Sequence, residues 1–394
     1  MPASKSESNR ALIIRGLCKE PAELHNLSSA RDTQTMIRLL ESEGHVLDVI
    51  DAGTTMRFLT AYFCAVGRDQ ILTGTPRMCK RPIGILVEAL KELGGQIDYW
   101  TQEGFPPLHI VSKGPLLKGG ELQMDGGVSS QFITAIIMIA PTLPGGLRLE
   151  LTGEIRSKPY IELTRNLMNH FGVETSWDGQ TLVVPEKSYT AAEYTIESDW
   201  SAASYWYSLV ALAEDKETEV ELLGLRKNSW QGDQRIAELM RHFGVKSRYT
   251  NEGVVLTKVR PGSAKKIFEI DFTDTPDLAQ TIAVVSAAKG MPVKMTGLET
   301  LRIKETDRIE ALRNELAKFD VQMEVDGNDC LIQGKATPTK STIDTYEDHR
   351  MAMAFAPMVL QQPTLMINDP EVVEKSYPEF WKHLELAGIR SNIW

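Results

Sequence analysis

From Gln231 to Val245 the chain reads QGDQRIAELMRHFGV, and from Lys246 to Val259 it continues KSRYTNEGVVLTKV. Ile236, Leu239, Met240 and Phe243 recur at helical spacing and make one apolar stripe, which predicts an amphipathic helix with one buried face. Gly244 follows the last apolar residue, where a left-handed C-cap is expected. The two runs after it, parted by a turn containing Gly253, read as strand, turn, strand. The local unit is thus a helix followed by a β-hairpin.

That unit recurs along the chain. RPIGILVEALKELGG (Arg81 to Gly95), SKPYIELTRNLMNHFGV (Ser157 to Val173) and KETDRIEALRNELAKFDV (Lys304 to Val321) carry the same stripe. KSYPEFWKHLELAGI (Lys375 to Ile389) echoes it, and DTQTMIRLLESEGHV (Asp32 to Val46) is a weaker early copy. Gly44, Gly94, Gly172 and Gly388 are expected to cap their helices as Gly244 does, with Asp320 in that place in one copy. VETSWDGQTLVVP (Val173 to Pro185) and VQMEVDGNDCLIQG (Val321 to Gly334) carry Asp-Gly between alternating runs, a hairpin signal. About six copies, three per half, predict two similar α/β domains. The later copies are spaced by roughly 70–80 residues, longer than solenoid repeats, which favours closed, threefold-arranged domains. The expected division is 4–197 for the first domain and 198–394, with 1–3, for the second.

The 394 residues are 42% hydrophobic and 24% charged, a balance that supports folded cores. A net charge of −10 argues against a general binder of nucleic acid or anionic membranes. Local clusters of Lys and Arg can still oppose the global sign and hold a small anion. Cys18, Cys64, Cys79 and Cys330 are scattered, without zinc-like His/Cys spacing, and read as reduced thiols. The apolar stretch Ala11 to Ile14 is too short for a signal peptide or a span, so a cytoplasmic protein is expected.

Basic and hydroxyl residues gather where helices are expected to start. Lys5, Ser6 and Arg10 stand in PASKSESNRAL, at the head of an apolar helical run. They suit an anion site, and equally a capped helix with solvated charges. DAGTTMRFLT (Asp51 to Thr60) puts Gly53 before a helix carrying Arg57, which also reads as a tight turn with a surface charge. LTGTPRMCKRPIG places Arg77, Lys80 and Arg81 within five residues, a phosphate or carboxylate clamp or a solvated basic loop. GGVSSQF projects Ser129, Ser130 and Gln131 at a helix start, where ordinary N-capping is the simpler reading. In KETDRIEAL, Lys304 and Arg308 are expected four apart on one helical face with Glu305 beside them, either as acid/base chemistry or as a surface charge network. His349 and Arg350 open an Ala/Met-rich helix; His349 is left without a catalytic role. No Walker loop, dinucleotide fingerprint, zincin motif or nucleophile elbow is present. The residues alone predict a two-domain α/β protein that binds a small polyanion between its domains.

SKSESNRAL, AGTTMRFLTA, LTG-PRM-RPIG, SSQF, SKPY, NSWQGD, TPDLAQTIAV, KETDR, DHRMAMAFA and DPEVVEKSYPEF occur in that order from Pro2 to nearly the last residue. Together they resemble the 5-enolpyruvylshikimate-3-phosphate synthase family. The resemblance implies an enolpyruvyl transferase fold, an inverse α/β barrel of three βαβαββ units in each of two globular domains, with the active site in the interdomain cleft. It implies transfer of the enolpyruvyl group of phosphoenolpyruvate to the 5-hydroxyl of shikimate 3-phosphate, by a monomer without metal or organic cofactor and without nucleic-acid or membrane partners.

By similarity, Lys5, Ser6, Arg10, Ser129, Ser130, Gln131, Ser157, Tyr160, Asp277 and Lys304 are expected on shikimate 3-phosphate. Lys5, Gly53, Arg77, Gln131, Glu305, Arg308, Arg350 and Lys375 are expected on phosphoenolpyruvate. Lys5, Asp277 and Glu305 are expected to move protons, Asp277 at the hydroxyl and Glu305 at the methylene. Asp51, Phe58 and Thr300 depart from the family pattern, where Asn, Pro and Asn are usual. The family's short strand before the Lys-Ser motif is either lacking here or cut off by a late-assigned start; a missing strand predicts an unpaired edge and reduced stability in the second domain. The sister enzyme acting on UDP-N-acetylglucosamine is the alternative; it usually carries a reactive cysteine in the loop that here holds Cys79.

Overall fold

Ser4 opens the first helix, α1 (Lys5–Leu17), by accepting from the Glu7 N–H at 3.4 Å. The structure is a computed structural model that describes residues 1–111, 114, 117–362 and 364–391. The chain divides into one unit of Ala3–Ile196 and another of Met1–Pro2 with Glu197–Trp394.

In the unit Ala3–Ile196, α1 is followed by β1 (Leu24–His25), α2 (Arg31–Glu41), β2 (Val46–Asp48), α3 (Gly53–Val66), β3 (Gln70–Thr73), α4 (Gly84–Glu92), β4 (Ile97–Tyr99) and β5 (Leu108–Ile110). Then come β6 (Gly120–Asp125), α5 (Ser130–Ile139), β7 (Leu147–Thr152), α6 (Lys158–His170), β8 (Ser176–Asp178), β9 (Thr181–Val184) and β10 (Tyr194–Thr195). Two four-stranded sheets form, in the orders β2-β3-β5-β4 and β6-β7-β9-β8. In each, the first pair is parallel and the rest antiparallel. That is one βαβ crossover followed by a hairpin, the βαβαββ pattern. A third, shorter sheet pairs β1 with β10 in parallel.

The other unit repeats the plan. Its elements are α7 (Trp200–Leu212), β11 (Glu219–Leu223), α8 (Ile236–His242), β12 (Val245–Tyr249), β13 (Gly253–Lys258), β14 (Phe268–Asp271), α9 (Ala279–Lys289), β15 (Val293–Thr296), α10 (Arg308–Ala317), β16 (Gln322–Asp326), β17 (Asp329–Gln333), β18 (Thr342–Ile343), α11 (His349–Phe355), β19 (Met366–Ile367) and α12 (Phe380–Leu386). Its sheets run β14-β15-β17-β16, β11-β13-β12 and β18-β19. The three-stranded sheet leaves β11 at an edge, with Leu223 51% exposed on it.

Two kinds of helix explain the layering. α1, α3 and α5 pack on one another in the first unit, as do α7, α9 and α11 in the second. These inner helices are buried nearly all round: in α9 every residue from Ala279 to Ala288 is buried, and all of α11 is. A helix apolar on all sides belongs in a core, and the small residues of AQTIAVVSAA let its neighbours approach closely. α2, α4, α6, α8 and α10 bury only one stripe and lie outside them.

The expected capping holds in four copies. Gly94, Gly172, Gly244 and Gly388 have φ of 98°, 84°, 90° and 89°, and Asp320 takes the same left-handed place at 61°. Gly44 does not: α2 stops at Glu41, Ser42 is extended, and the Ser42 hydroxyl accepts from the Gly44 N–H at 3.1 Å. Among the described residues the hairpin is complete after α4, α6, α8 and α10; α2 and α12 are the outer helices of reduced copies.

Candidate active site

In the unit Ala3–Ile196 the starts of the inner helices hold most of the expected residues. Lys5 and Ser6 are not ahead of a helix but in its first turn, because Ser4 is the cap. Lys5 Nζ donates to Asp32 Oδ2 at 2.9 Å, and Asp32 is buried. Arg10 lies one turn on and is buried. Its Nε donates to Thr164 Oγ1 of α6 at 2.7 Å and its Nη1 to the Ser6 carbonyl at 2.9 Å. The Arg10 guanidinium stacks 5.3 Å from the Phe58 ring and 5.8 Å from the Tyr160 ring. Burial lowers its pKa to about 10, with Tyr160 and Glu7 opposing, so it stays cationic at neutral pH. Arg10 therefore ties α1, α3 and α6 together.

Ser129 caps α5, accepting from the Gln131 N–H at 3.4 Å, and Ser130 is buried at the first helical position. Gln131 Nε2 donates to Thr54 Oγ1 at 3.1 Å, so α5 and α3 meet at their starts. Ser157 precedes α6 with a left-handed φ of 53°, an uncommon conformation for a non-glycine residue.

Gly53 begins α3 against two guanidinium groups. A Cβ there would lie 2.5 Å from Arg57 Nη1 and 2.7 Å from Arg81 Nη1. Both arginines are buried, and Arg57 Nη1 donates to the Gly53 carbonyl at 2.8 Å. The sequence reading left Arg57 and Arg81 with bland alternatives; the structure turns them inward. Arg77 is exposed, at the start of the 3-10 turn Met78–Lys80.

The second unit carries the denser cluster. Arg308 Nε donates to Asp348 Oδ2 at 2.7 Å, Nη1 to Asp277 Oδ1 at 3.1 Å, and Nη2 to Glu305 Oε2 at 3.0 Å. Arg350 Nη2 donates to Asp277 Oδ2 at 2.8 Å, and Lys304 Nζ is 3.7 Å from Asp277 Oδ1. Arg350 Nη1 also reaches the Tyr205 hydroxyl at 3.3 Å. The starts of α7, α9 and α11 thus meet, with Asp277 in the 3-10 turn Pro276–Leu278 that leads into α9. Lys375 is buried at the end of the 3-10 turn Pro370–Lys375, which packs on α11.

Lys304 and Arg308 are not on one helical face, contrary to expectation. Asp307 accepts from the Ile309 and Glu310 N–H groups and caps α10, so the helix starts only at Arg308. Asp277 draws Lys304 and Arg308 together instead.

Burial favours the neutral form of Asp277, but Arg350, Lys304 and Arg308 outweigh it and hold the carboxyl well below the usual range. Burial lowers Lys304, against the pull of Asp277.

Asp233 was missed. It lies in the 3-10 turn Gly232–Arg235 and is buried. Its Oδ2 accepts from the Ser201 hydroxyl, while Oδ1 has no hydrogen-bond partner among the described residues. Burial and then the Asp277 charge raise its pKa, to about 7, with Arg350 opposing. The one sequence signal was Asp233 in NSWQGD, which a helix-copy reading absorbed.

Of the departures, Asp51 pairs with Arg31 at 3.1 Å and Phe58 is the ring under Arg10. Thr300 Oγ1 is buried without a hydrogen-bond partner among the described residues. His349 is buried 3.6 Å from Asp348 Oδ1.

Each unit thus carries buried cations and hydroxyls at helix starts, groups that suit phosphorylated or carboxylated small molecules. The comparisons with known proteins go further. The family model described as EPSP synthase (3-phosphoshikimate 1-carboxyvinyltransferase) matches residues 38–384. A 3-phosphoshikimate 1-carboxyvinyltransferase of Bacteroides fragilis (strain YCH46) is 49% identical over 401 residues, covering 100% of this chain and 95% of its own. One from Vibrio campbellii is 37% identical over 416 residues, covering 98% and 95%. The fold is that of an EPSP synthase structure from Acinetobacter baumannii, with a TM-score of 0.77 at 20% identity over 98% of this chain and 94% of that one. The chain belongs to the EPSP synthase family. Among the described residues, no helix is long and apolar enough to cross a membrane.

Proposed function

We propose that this chain transfers the enolpyruvyl group of phosphoenolpyruvate to the 5-hydroxyl of shikimate 3-phosphate and releases inorganic phosphate. The observation that carries the reading is the constellation around Asp277, where Arg308, Arg350 and Lys304 converge beside Glu305. Family membership supplies the acceptor.

In this reading Ser6, Arg10, Ser129, Ser130, Ser157, Tyr160 and Lys304 hold shikimate 3-phosphate. Lys5, Gly53, Arg77, Arg308, Arg350 and Lys375 hold phosphoenolpyruvate, and Gln131 contacts both. Two phosphates and a carboxylate repel one another, so the cations do two jobs: they bind each anion and screen it from the next.

The hydroxyl oxygen attacks C2 of phosphoenolpyruvate and loses its proton, while the C3 methylene gains one. The tetrahedral adduct then breaks its C2–phosphate oxygen bond; phosphate leaves and the methyl group gives up a proton to restore the double bond. Asp277 serves the hydroxyl, Glu305 the methylene, and Lys5 assists the transfers. Asp277 is a weak base while three cations face it. Anionic substrates arriving at Arg350 and Lys304 offset that positive field and raise its proton affinity. In this reading the chain works in the cytoplasm as a monomer.

The test is proton NMR of the purified protein with both substrates in D2O. New vinyl signals with deuterium entering the vinyl position support the reading. Phosphate release without a vinyl product would contradict it.

A further inference from the structure

His45, Asp69 and His109 form a second constellation in the unit Ala3–Ile196. Each offers one donor atom, and the three atoms lie within 4.8 Å of one another. His109 Nε2 is 3.0 Å and His45 Nδ1 is 3.6 Å from the same oxygen, Asp69 Oδ1. The two rings stand edge to face with centroids 5.8 Å apart. We propose that these three side chains bind a divalent transition-metal ion of the Zn2+ type, with water completing its coordination.

The backbone explains why the three converge. His45 directly precedes β2, and its carbonyl accepts from the Ile71 N–H at 2.9 Å. Asp69 directly precedes β3, and His109 lies on β5 opposite Ile71. β2, β3 and β5 are neighbours in one sheet, so three adjacent strands each deliver one donor at the same end.

Two imidazoles and one carboxylate suit the ions that favour nitrogen with some oxygen. Ca2+ and Mg2+ prefer fuller oxygen shells, which this set does not offer. Donors about 2.0–2.2 Å from a tetrahedral ion stand roughly 3.4 Å from one another. The observed separations of 3.0 and 3.6 Å fall on either side of that value. The side chains of His45, Asp69 and His109 are 56%, 41% and 27% exposed, so an ion can enter from solvent and keep a water ligand.

The ion would act on stability and not on the reaction. β2 and β3 are parallel, with His45 and Asp69 at their starts. Their far ends lead to Gly53 and to the loop of Arg77 and Arg81. A metal at the near ends staples three strands whose other ends place those groups.

The experiment uses the full, untagged chain in metal-free buffer, titrated with Co2+ by visible absorption and then with Zn2+ as competitor. The expected result is one equivalent of Co2+ with nitrogen/oxygen-type bands, no thiolate charge-transfer band, and displacement by Zn2+. At a hundredfold excess of Zn2+ over its Kd the melting temperature rises by on the order of 5 °C. His45→Gln and His109→Gln each weaken binding at least tenfold and remove the thermal shift, with far-UV circular dichroism unchanged. His242→Ala, in the other unit, leaves binding intact. Equal binding by both glutamine variants, a thiolate band, or no saturable binding would overturn the proposal.

Discussion

Arg350 donates to Asp277 at 2.8 Å and stands 3.5 Å from the hydroxyl of Ser201, which in turn donates to Asp233. One guanidinium thus lies between half-buried Asp277 and buried Asp233, whose proton affinities are driven apart, Asp277 downward and Asp233 upward.

Asp233 sets a pH dependence of stability. Its folded pKa is raised to about 7, chiefly by burial. Between the ordinary carboxylate range and that value the folded state binds the proton that the unfolded state has lost. Its stabilising contribution is therefore full at low pH and is lost as pH rises toward and through about 7. The slope reaches at most about 1.4 kcal/mol per pH unit. Asp277 is ionised throughout this window and adds no slope there. Urea midpoints from pH 5 to 8 should fall in the wild type and fall less in Asp233→Asn; parallel curves would contradict the assignment.

Arg308 makes ion pairs with three carboxylates through one buried fork. Arg308→Met leaves Asp348 buried without its partner, at a cost of about 3–5 kcal/mol. Arg308→Lys is expected to recover little, since a single ammonium cannot reproduce the fork. Denaturation in urea measures both, and full recovery by lysine would be against this view.

Glu305→Gln keeps the hydrogen-bonding shape beside Arg308 but cannot take up a proton. Turnover should fall by roughly 10²–10⁴ with KM values nearly unchanged. Near-normal turnover would remove Glu305 from the chemistry.

Gly53→Ala drives a methyl group into Arg57 and Arg81, at 2.5 and 2.7 Å. The guanidiniums must shift, so the KM for phosphoenolpyruvate should rise about tenfold, the equivalent of ~1.4 kcal/mol of lost binding. An unchanged KM would mean that Gly53 does not lie against phosphoenolpyruvate.

Cys79 places its thiol 3.5 Å from the Gly74 carbonyl in the basic loop. Cys79→Ser should retain activity. Loss of turnover would point to the sister enzyme's chemistry, in which a loop cysteine takes part.

The outer helices and their hairpins were legible because period and turn chemistry agree: the Ile236–Phe243 stripe and the Asp178-Gly179 and Asp326-Gly327 turns all appear. The inner helices have no polar face, so periodicity could not orient α7 or α9. Lys304 was drawn onto a helix because its charge spacing outweighed the capping strength of Asp307. Asp233 escaped because a 3-10 turn beside a helix looks like the helix itself. His45, Asp69 and His109 are far apart in sequence, and only strand pairing joins them.

The most direct test is phosphate release from phosphoenolpyruvate by the purified chain, with shikimate 3-phosphate as acceptor and in parallel with UDP-N-acetylglucosamine. Release with shikimate 3-phosphate alone is the predicted result. Release with the sugar nucleotide alone, or with neither acceptor from folded protein, would contradict it.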